Sequence, residues 1–312
     1  MFLILFYIIL GLIIGVYLML TLLRWYKISR VLEKIDMDVI LQGEFSLLTY
    51  NVAGLPERIS SALTPRRESM IQIGELISDF DIVHVQEDFN YNRFLYEKNT
   101  HLYRTKHKGK VPFGDGLNTL SNYPILEYRR IPWRHCTGSD CLTSKGFTYT
   151  KIKLAKNIYI DVYNVHANSH YAPKASYARQ HNINQLKQYI YDHSADQALL
   201  VLGDFNAHYA FKLDNLPLFV KETGLYDGWV DLVQDGYFPE VDDHFMPLPM
   251  LELTNSNESI DKIYYRSSKH LIFTPQEYNI EDKKFVAPSG EPLSDHLAVS
   301  MHFKWEWKEE IT

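Results

Sequence analysis

From residue 45 onward the chain alternates short apolar runs with longer segments in which apolar side chains return every three or four positions. FSLLTYN (45–51), DIVHVQED (81–88), GLNTLSNY (116–123), KGFTYTKIKL (145–154), IYIDVYNVH (158–166), VLGDFN (201–206), IDKIYYR (260–266) and HLAVSMHF (296–303) read as strands. Each is brief and rich in β-branched or aromatic residues, and most are closed by turn residues. Two stretches have helical period instead. Thr64 as a cap with Pro65 in first position opens one whose Met70, Ile73, Leu76, Ile77 and Phe80 share a face. Residues 175–193 form the other, with Ile183, Leu186 and Ile190 inward. Residues 213–257 lose both rhythms, are rich in Pro and Gly, and are expected to be long loops at one rim. Strands and helices intermixed, with no internal repeat or low-complexity tract, predict a single α/β domain over residues 44–306.

The N-terminus follows a different pattern. Residues 2–23 carry no charge, and at about 1.5 Å per residue such a helix is long enough to cross a bilayer core. Residues 1–25 are therefore expected to form a single-pass membrane anchor and residues 26–43 a mixed-charge tether. Neither a basic leader nor a small-residue cleavage site accompanies the run, which argues against a cleaved signal peptide. Arg24, Lys27, Arg30 and Lys34 follow it while no charge precedes it, which places the bulk of the chain in the cytoplasm. Cys136 and Cys141 pull the other way, because a disulfide between them would imply a lumen or exterior. Two free thiols fit the spacing equally, so the pairing and the side of the membrane both stay open.

Composition narrows the function. With 46% hydrophobic residues the chain can build a sizeable core, and a net charge of -6 with no basic stripe argues against a stable nucleic-acid partner. A metal-dependent nuclease survives that argument, because bound cations can supply the positive field.

The chemistry gathers at strand ends. Asn51, Glu87, His166, Asp204 with Asn206, and the pair Asp295-His296 border five separate apolar runs. Each alone has an ordinary explanation: Asn51 and Asp204 as turn residues, Glu87 as a solvated strand end, His166 as a rim histidine. Jointly they are harder to dismiss, because strand ends of a sheet collect at one edge and loops there carry function. Oxygen ligands of this kind suit Mg2+ or Mn2+, and two histidines suit proton transfer near neutral pH. The set describes metal-assisted phosphodiester cleavage with water as nucleophile. Asp204 and Asn206, one residue apart on an extended strand, are expected to point the same way and address one phosphate together. His84 falls inside an apolar run and reads as a core histidine, while His170, His208 and His244 read as loop residues.

TYNVAGLP, VQED, YNVHA, GDFNAH, DKIYY and SDHLAV, in this order from about residue 44 to about 304, resemble the motif series of the endonuclease/exonuclease/phosphatase superfamily. Within it the chain is most similar to neutral sphingomyelinases and their phospholipase C relatives, through KGFTYTKI, EDFN, DGLNTLSNYPI and VHAN. The resemblance implies a DNase I-like four-layered α/β sandwich with two central mixed β-sheets, here preceded by the membrane helix. It implies that Glu87 holds the catalytic metal with Asn51 and Asp295 beside it, that Asp204 and Asn206 hold water and phosphate, and that His296 is the base. Asp261 would orient His296, and His166 would stabilise the developing charge. Asn118, Asn168 and Lys145 are the expected substrate contacts, and Asp140, five positions before Lys145, the partner of an activating switch. The implied activity is Mg2+-dependent release of a phosphorylated headgroup from a membrane lipid, the alternatives being a DNase I-like endonuclease and a phosphoinositide phosphatase.

Overall fold

A computed structural model describes residues 37–308 and, ahead of them, positions 10, 11, 14–17 and 19. It divides into two compact units, Met1–Val39 and Ile40–Thr312. In the first unit positions 10, 11, 14–17 and 19 are helical and exposed, and residues 37–39 have no regular structure. Among the described residues no helix is long and apolar enough to cross a membrane. That finding stands against the expected single-pass span and corrects the membrane placement built on it. Most of residues 2–23, and most of the expected tether, lie outside the described residues.

The second unit is built on two six-stranded mixed sheets. Strand β1 (Gln42–Asn51) leads through helix α1 (Arg66–Leu76) to β2 (Ile82–Gln86), which lies parallel to β1. The period-two alternation of β1 sorts its side chains: Phe45 and Leu47 enter the large core between the sheets, whereas Leu48 and Tyr50 join Met70, Ile73 and Ile77 under α1. Thr64 does not cap that helix. Its hydroxyl donates to the Pro292 carbonyl at 3.2 Å, and Pro65 occupies the cap position without a side-chain bond.

The second sheet repeats the device. β7 (Ile158–His166) runs through α3 (Pro173–Ser194) to a parallel β8 (Leu199–Asp204), and Ile183, Leu186 and Ile190 seat α3 on the core; the short α2 (Asn92–Leu95) lies between β2 and β7 in the chain. Each sheet thus has one parallel pair whose carboxyl ends leave on the same side. The remaining strands that matter to the site are β4 (Asn118–Ser121), β6 (Gly146–Ala155), β10 (Asp261–Arg266) and β12 (Val299–Trp307). β10 lies antiparallel to β8 with Asp261 opposite Asp204. Beneath the strand ends, the Gln86 carboxamide donates to Asn164 Oδ1 at 2.8 Å, and Asn164 Nδ2 donates to the Val85 and Asn118 carbonyls at 3.0 Å. This buried bridge fixes the two sheets to each other directly under the edge.

Sequence reading missed β5 (Ile125–Pro132), which is partly exposed and carries three charged residues, and β11 (Leu271–Ile280), which is partly exposed and interrupted by Pro275, Gln276 and Glu277. It also took residues 213–257 for loops, whereas α4 (Leu216–Thr223) and α5 (Gly228–Leu232) lie within them. Both helices are too short to show a period, although Asp227 caps α5 through the Trp229 and Val230 amides.

Candidate active site

The four carboxyl ends of the parallel strands, the start of β10 and the turn before β12 meet at one edge. Asp204, 1% exposed, is its hub. Its Oδ2 lies 3.2 Å from Asn51 Nδ2, 3.3 Å from His166 Nε2 and 3.9 Å from His296 Nε2, so side chains of both sheets converge on one oxygen. Gly203 makes this possible. At φ +150 a Cβ there would stand 2.0 Å from the Val165 carbonyl, so only glycine lets the end of β8 lie this close to β7.

His296 is oriented from behind. Its Nδ1 donates to Asp261 Oδ2 at 2.7 Å, which leaves Nε2 facing Asn51 at 3.5 Å and Asp204. Burial would lower its pKa, but the carboxylates of Asp261, Asp204 and Asp295 outweigh burial and push it up to about 10. His166 is held the opposite way: burial, then the positive charges of Lys145 and His296, keep it well below its ordinary value and therefore neutral. Burial also raises Asp204 and Glu87. For Glu87 the Lys145 ammonium counteracts burial, Asp295 adds to it, and Asn51 lies within hydrogen-bonding reach.

The backbone is strained here. Ala53 at φ 49, Glu87 at φ 58 and Asn206 at φ 50 occupy the left-handed region, which non-glycine residues seldom enter. Asn206 is therefore not the extended second residue that an i, i+2 pairing requires. Its amide donates to Asp204 Oδ1 at 2.9 Å and its carboxamide to the Ala167 carbonyl at 3.3 Å, so a turn rather than strand pleat brings it to Asp204. Asp295 lies beside His296, with Ser294 Oγ 3.4 Å from its carboxylate and donating to the Asn51 carbonyl at 2.7 Å.

Two of the expected substrate contacts, Asn118 and Asn168, make hydrogen bonds within the protein. Asn118 donates to Asp88 at 2.7 Å and accepts from Arg130 at 2.8 Å and Thr105 at 3.2 Å. Asn168 accepts from the Thr137 amide at 2.8 Å and donates to the Ser169 carbonyl at 2.9 Å. Both are buried, each engaged through Oδ1 and through one Nδ2 hydrogen bond, and these bonds brace the loops of the site. Lys145 pairs with Asp140 at 2.8 Å, both nearly buried, and Asp140 also accepts from the Ser169 amide and hydroxyl. Cys136 and Cys141 are disulfide-bonded and close the loop that carries Asp140.

Sequence reading missed the groups that hold these loops. Arg66, wholly buried, donates to the Val52, Ala53 and Leu293 carbonyls and so ties the Asn51 turn to the one carrying His296. Arg179 pairs with Asp214 at 2.6 Å and donates to the Asn168 and His170 carbonyls. Their partners stand far away in the chain, so no spacing betrays them; only Ser294, next to Asp295-His296, had a local signal.

The sequence pattern of the Endonuclease/Exonuclease/phosphatase family matches residues 48–296, from β1 to the histidine at the centre of this edge. The chain belongs to that family. It is 38% identical over 272 residues to a sphingomyelinase of Mycobacterium tuberculosis, a match covering 85% of this chain and 54% of the relative. The chain thus spans about half the length of the curated relatives it matches. Beta toxin of Staphylococcus aureus, in a mutant form with bound magnesium ions, aligns at TM-score 0.57 and 18% identity over 85% of this chain and 100% of that one. TDP2 of D. rerio, complexed with a single strand DNA product, aligns at TM-score 0.60 and 18% identity over 84% of this chain and 99% of that one. At such identities the likeness shows the fold, which is DNase I-like, with two mixed sheets and helices. Proteins that share this family's fold therefore include one named for a sphingolipid and one solved with DNA, so the fold leaves the substrate open.

Proposed function

We propose that the chain is a Mg2+-dependent phosphodiesterase of sphingomyelinase, or phospholipase C, type. The observation that carries this reading is the meeting of Asn51, His166, Asp204, Asp261 and His296 at one oxygen-rich edge. His296 Nε2 takes the proton of a water that attacks phosphorus. The bond from phosphorus to the lipid-side oxygen breaks, that oxygen takes a proton from solvent, the phosphorylated headgroup is released, and His296 returns its proton to solvent. Asp261 fixes the tautomer that leaves Nε2 inward, and neutral His166 donates to Asp204.

The donor set fits a hard divalent cation. Glu87, Asp204, Asp261 and Asp295 bring four carboxylates to the edge, Lys145 is already paired with Asp140, and Glu87 makes no ion pair among the described residues. Asp204, Asp261 and His296 also offer ligand atoms within 4.8 Å of one another, but Asp261 is engaged by the imidazole. Glu87, Asn51 and Asp295 are therefore the residues we assign to Mg2+, or Mn2+ in its place. When bound, such an ion supplies charge neutralisation for the phosphate and acidifies water nearby. Neutralising the carboxylates around His296 is also what brings it into range to accept a proton near neutral pH.

The substrate reading rests on the 38% identity to a sphingomyelinase and on a net charge of -6, which disfavours nucleic acid. The test offers the chain sphingomyelin, phosphatidylcholine, phosphatidylinositol and plasmid DNA with Mg2+ and again with EDTA. Headgroup release that EDTA abolishes is expected. Preferential nicking of the plasmid would make it an endonuclease, and activity surviving EDTA would count against the metal.

A further inference from the structure

A second surface borders the edge and takes no part in the chemistry above. Within residues 237–248, Tyr237 is 77% exposed, Val241 60%, Met246 84% and Leu248 52%. So dense a set of large apolar side chains in water is uncommon on a monomer. The segment is held in place. The Asp242 amide donates to the Ala210 carbonyl at 2.9 Å, and the Phe245 ring lies 4.8 Å from His208 and 5.7 Å from Phe211. Pro247 and Pro249 keep the backbone extended, so Met246 and Leu248 point outward while Met250 and Leu251 return to the core. Phe245 packs on His208, two residues beyond Asn206, which sets the segment beside the loop that leaves β8 at this edge.

Its charge identifies what it fits. Residues 222–261 contain no Lys or Arg, and residues 237–248 carry Glu240, Asp242 and Asp243. Lys212 answers Asp243 from the neighbouring loop, at 2.7 Å. An anionic surface would be repelled by this rim, whereas the outward-facing cations of zwitterionic headgroups would not. We propose that residues 237–248 dock the protein on a zwitterionic lipid bilayer, with Met246 and Leu248 entering the headgroup boundary. This rests on the lipid reading of the active site and specifies the surface on which that site works.

The test places an environment-sensitive dye on the full chain at Met246→Cys, and in a separate variant at Asp196→Cys, an exposed position before β8 at the end opposite Asp204. With phosphatidylcholine vesicles the dye at 246 is expected to shift to shorter wavelength and the dye at 196 to stay unchanged. Adding phosphatidylserine should weaken the shift. No shift at 246, an equal shift at both positions, or a stronger shift on phosphatidylserine would overturn the proposal. So would a shift that rises with protein concentration in the absence of vesicles, which would indicate a second copy as the occupant. Because this readout needs no catalysis, it stands or falls separately from the proposed reaction. Met246→Glu with Leu248→Glu should in addition lower hydrolysis of vesicle lipid about tenfold and leave the rate on soluble bis(p-nitrophenyl) phosphate unchanged. Equal losses on both substrates would contradict docking.

Discussion

Asp261 fixes which ring nitrogen of His296 faces Asp204 and Asn51. Its carboxylate lies 2.7 Å from His296 Nδ1 and is the foremost of the groups raising that imidazole to about 10. In metal-free protein Asp261→Asn should lower the His296 pKa, read by NMR titration of its ring protons. An unchanged value would mean that Asp204 and Asp295 suffice. Glu258 offers a cleaner stability test. Burial raises it, but Lys262 and His208 outweigh burial and hold it down to about 2. With an unfolded value of about 4.3, its contribution is present above that pH and lost as pH falls toward about 2. Glu258→Gln should therefore melt at lower temperature at pH 7 and show a shallower acid limb in that window. Such partnerships explain what residue-level reading could see. Asn51, Glu87, Asp204 and His296 each sit next to a strand end and announce themselves, whereas Glu258 and Arg66 draw their meaning from partners on other elements.

At the scale of elements, the decisive feature is that each sheet contains one parallel pair. A parallel pair needs a crossover helix, and the helical periods before β2 and before β8 announced both. The buried runs were legible for the same reason, while the partly exposed strands β5 and β11 were not, since the charges of β5 and the Pro275, Gln276 and Glu277 of β11 interrupt the apolar signal. Glycine in VLGDFN reads from sequence as a break in the run; the structure gives it a cause, the approach of β8 to β7. Gly203→Ala should cost about 3 kcal/mol or more, because the carbonyl it meets belongs to backbone and cannot rotate away. Denaturant unfolding would read this directly, and a loss below about 1 kcal/mol would show that the sheet yields.

At the scale of the whole molecule, two sheets fixed through Asn164 and Gln86 bring the proposed site residues to a single edge, and the exposed apolar segment 237–248 packs on His208 beside it. The convergence was foreseeable from motif order, but the route by which Asn206 reaches Asp204 was not, because a left-handed residue leaves no trace in an apolar pattern. The account's central claim is that residues from both sheets form one hydrolytic site around His296. Its most direct measurement compares Mg2+-supported hydrolysis of bis(p-nitrophenyl) phosphate by the unsubstituted chain and by His296→Ala, with matching circular dichroism as the control for folding. A fall of about 10²- to 10⁴-fold is the predicted result. A rate close to that of the unsubstituted chain would contradict the account.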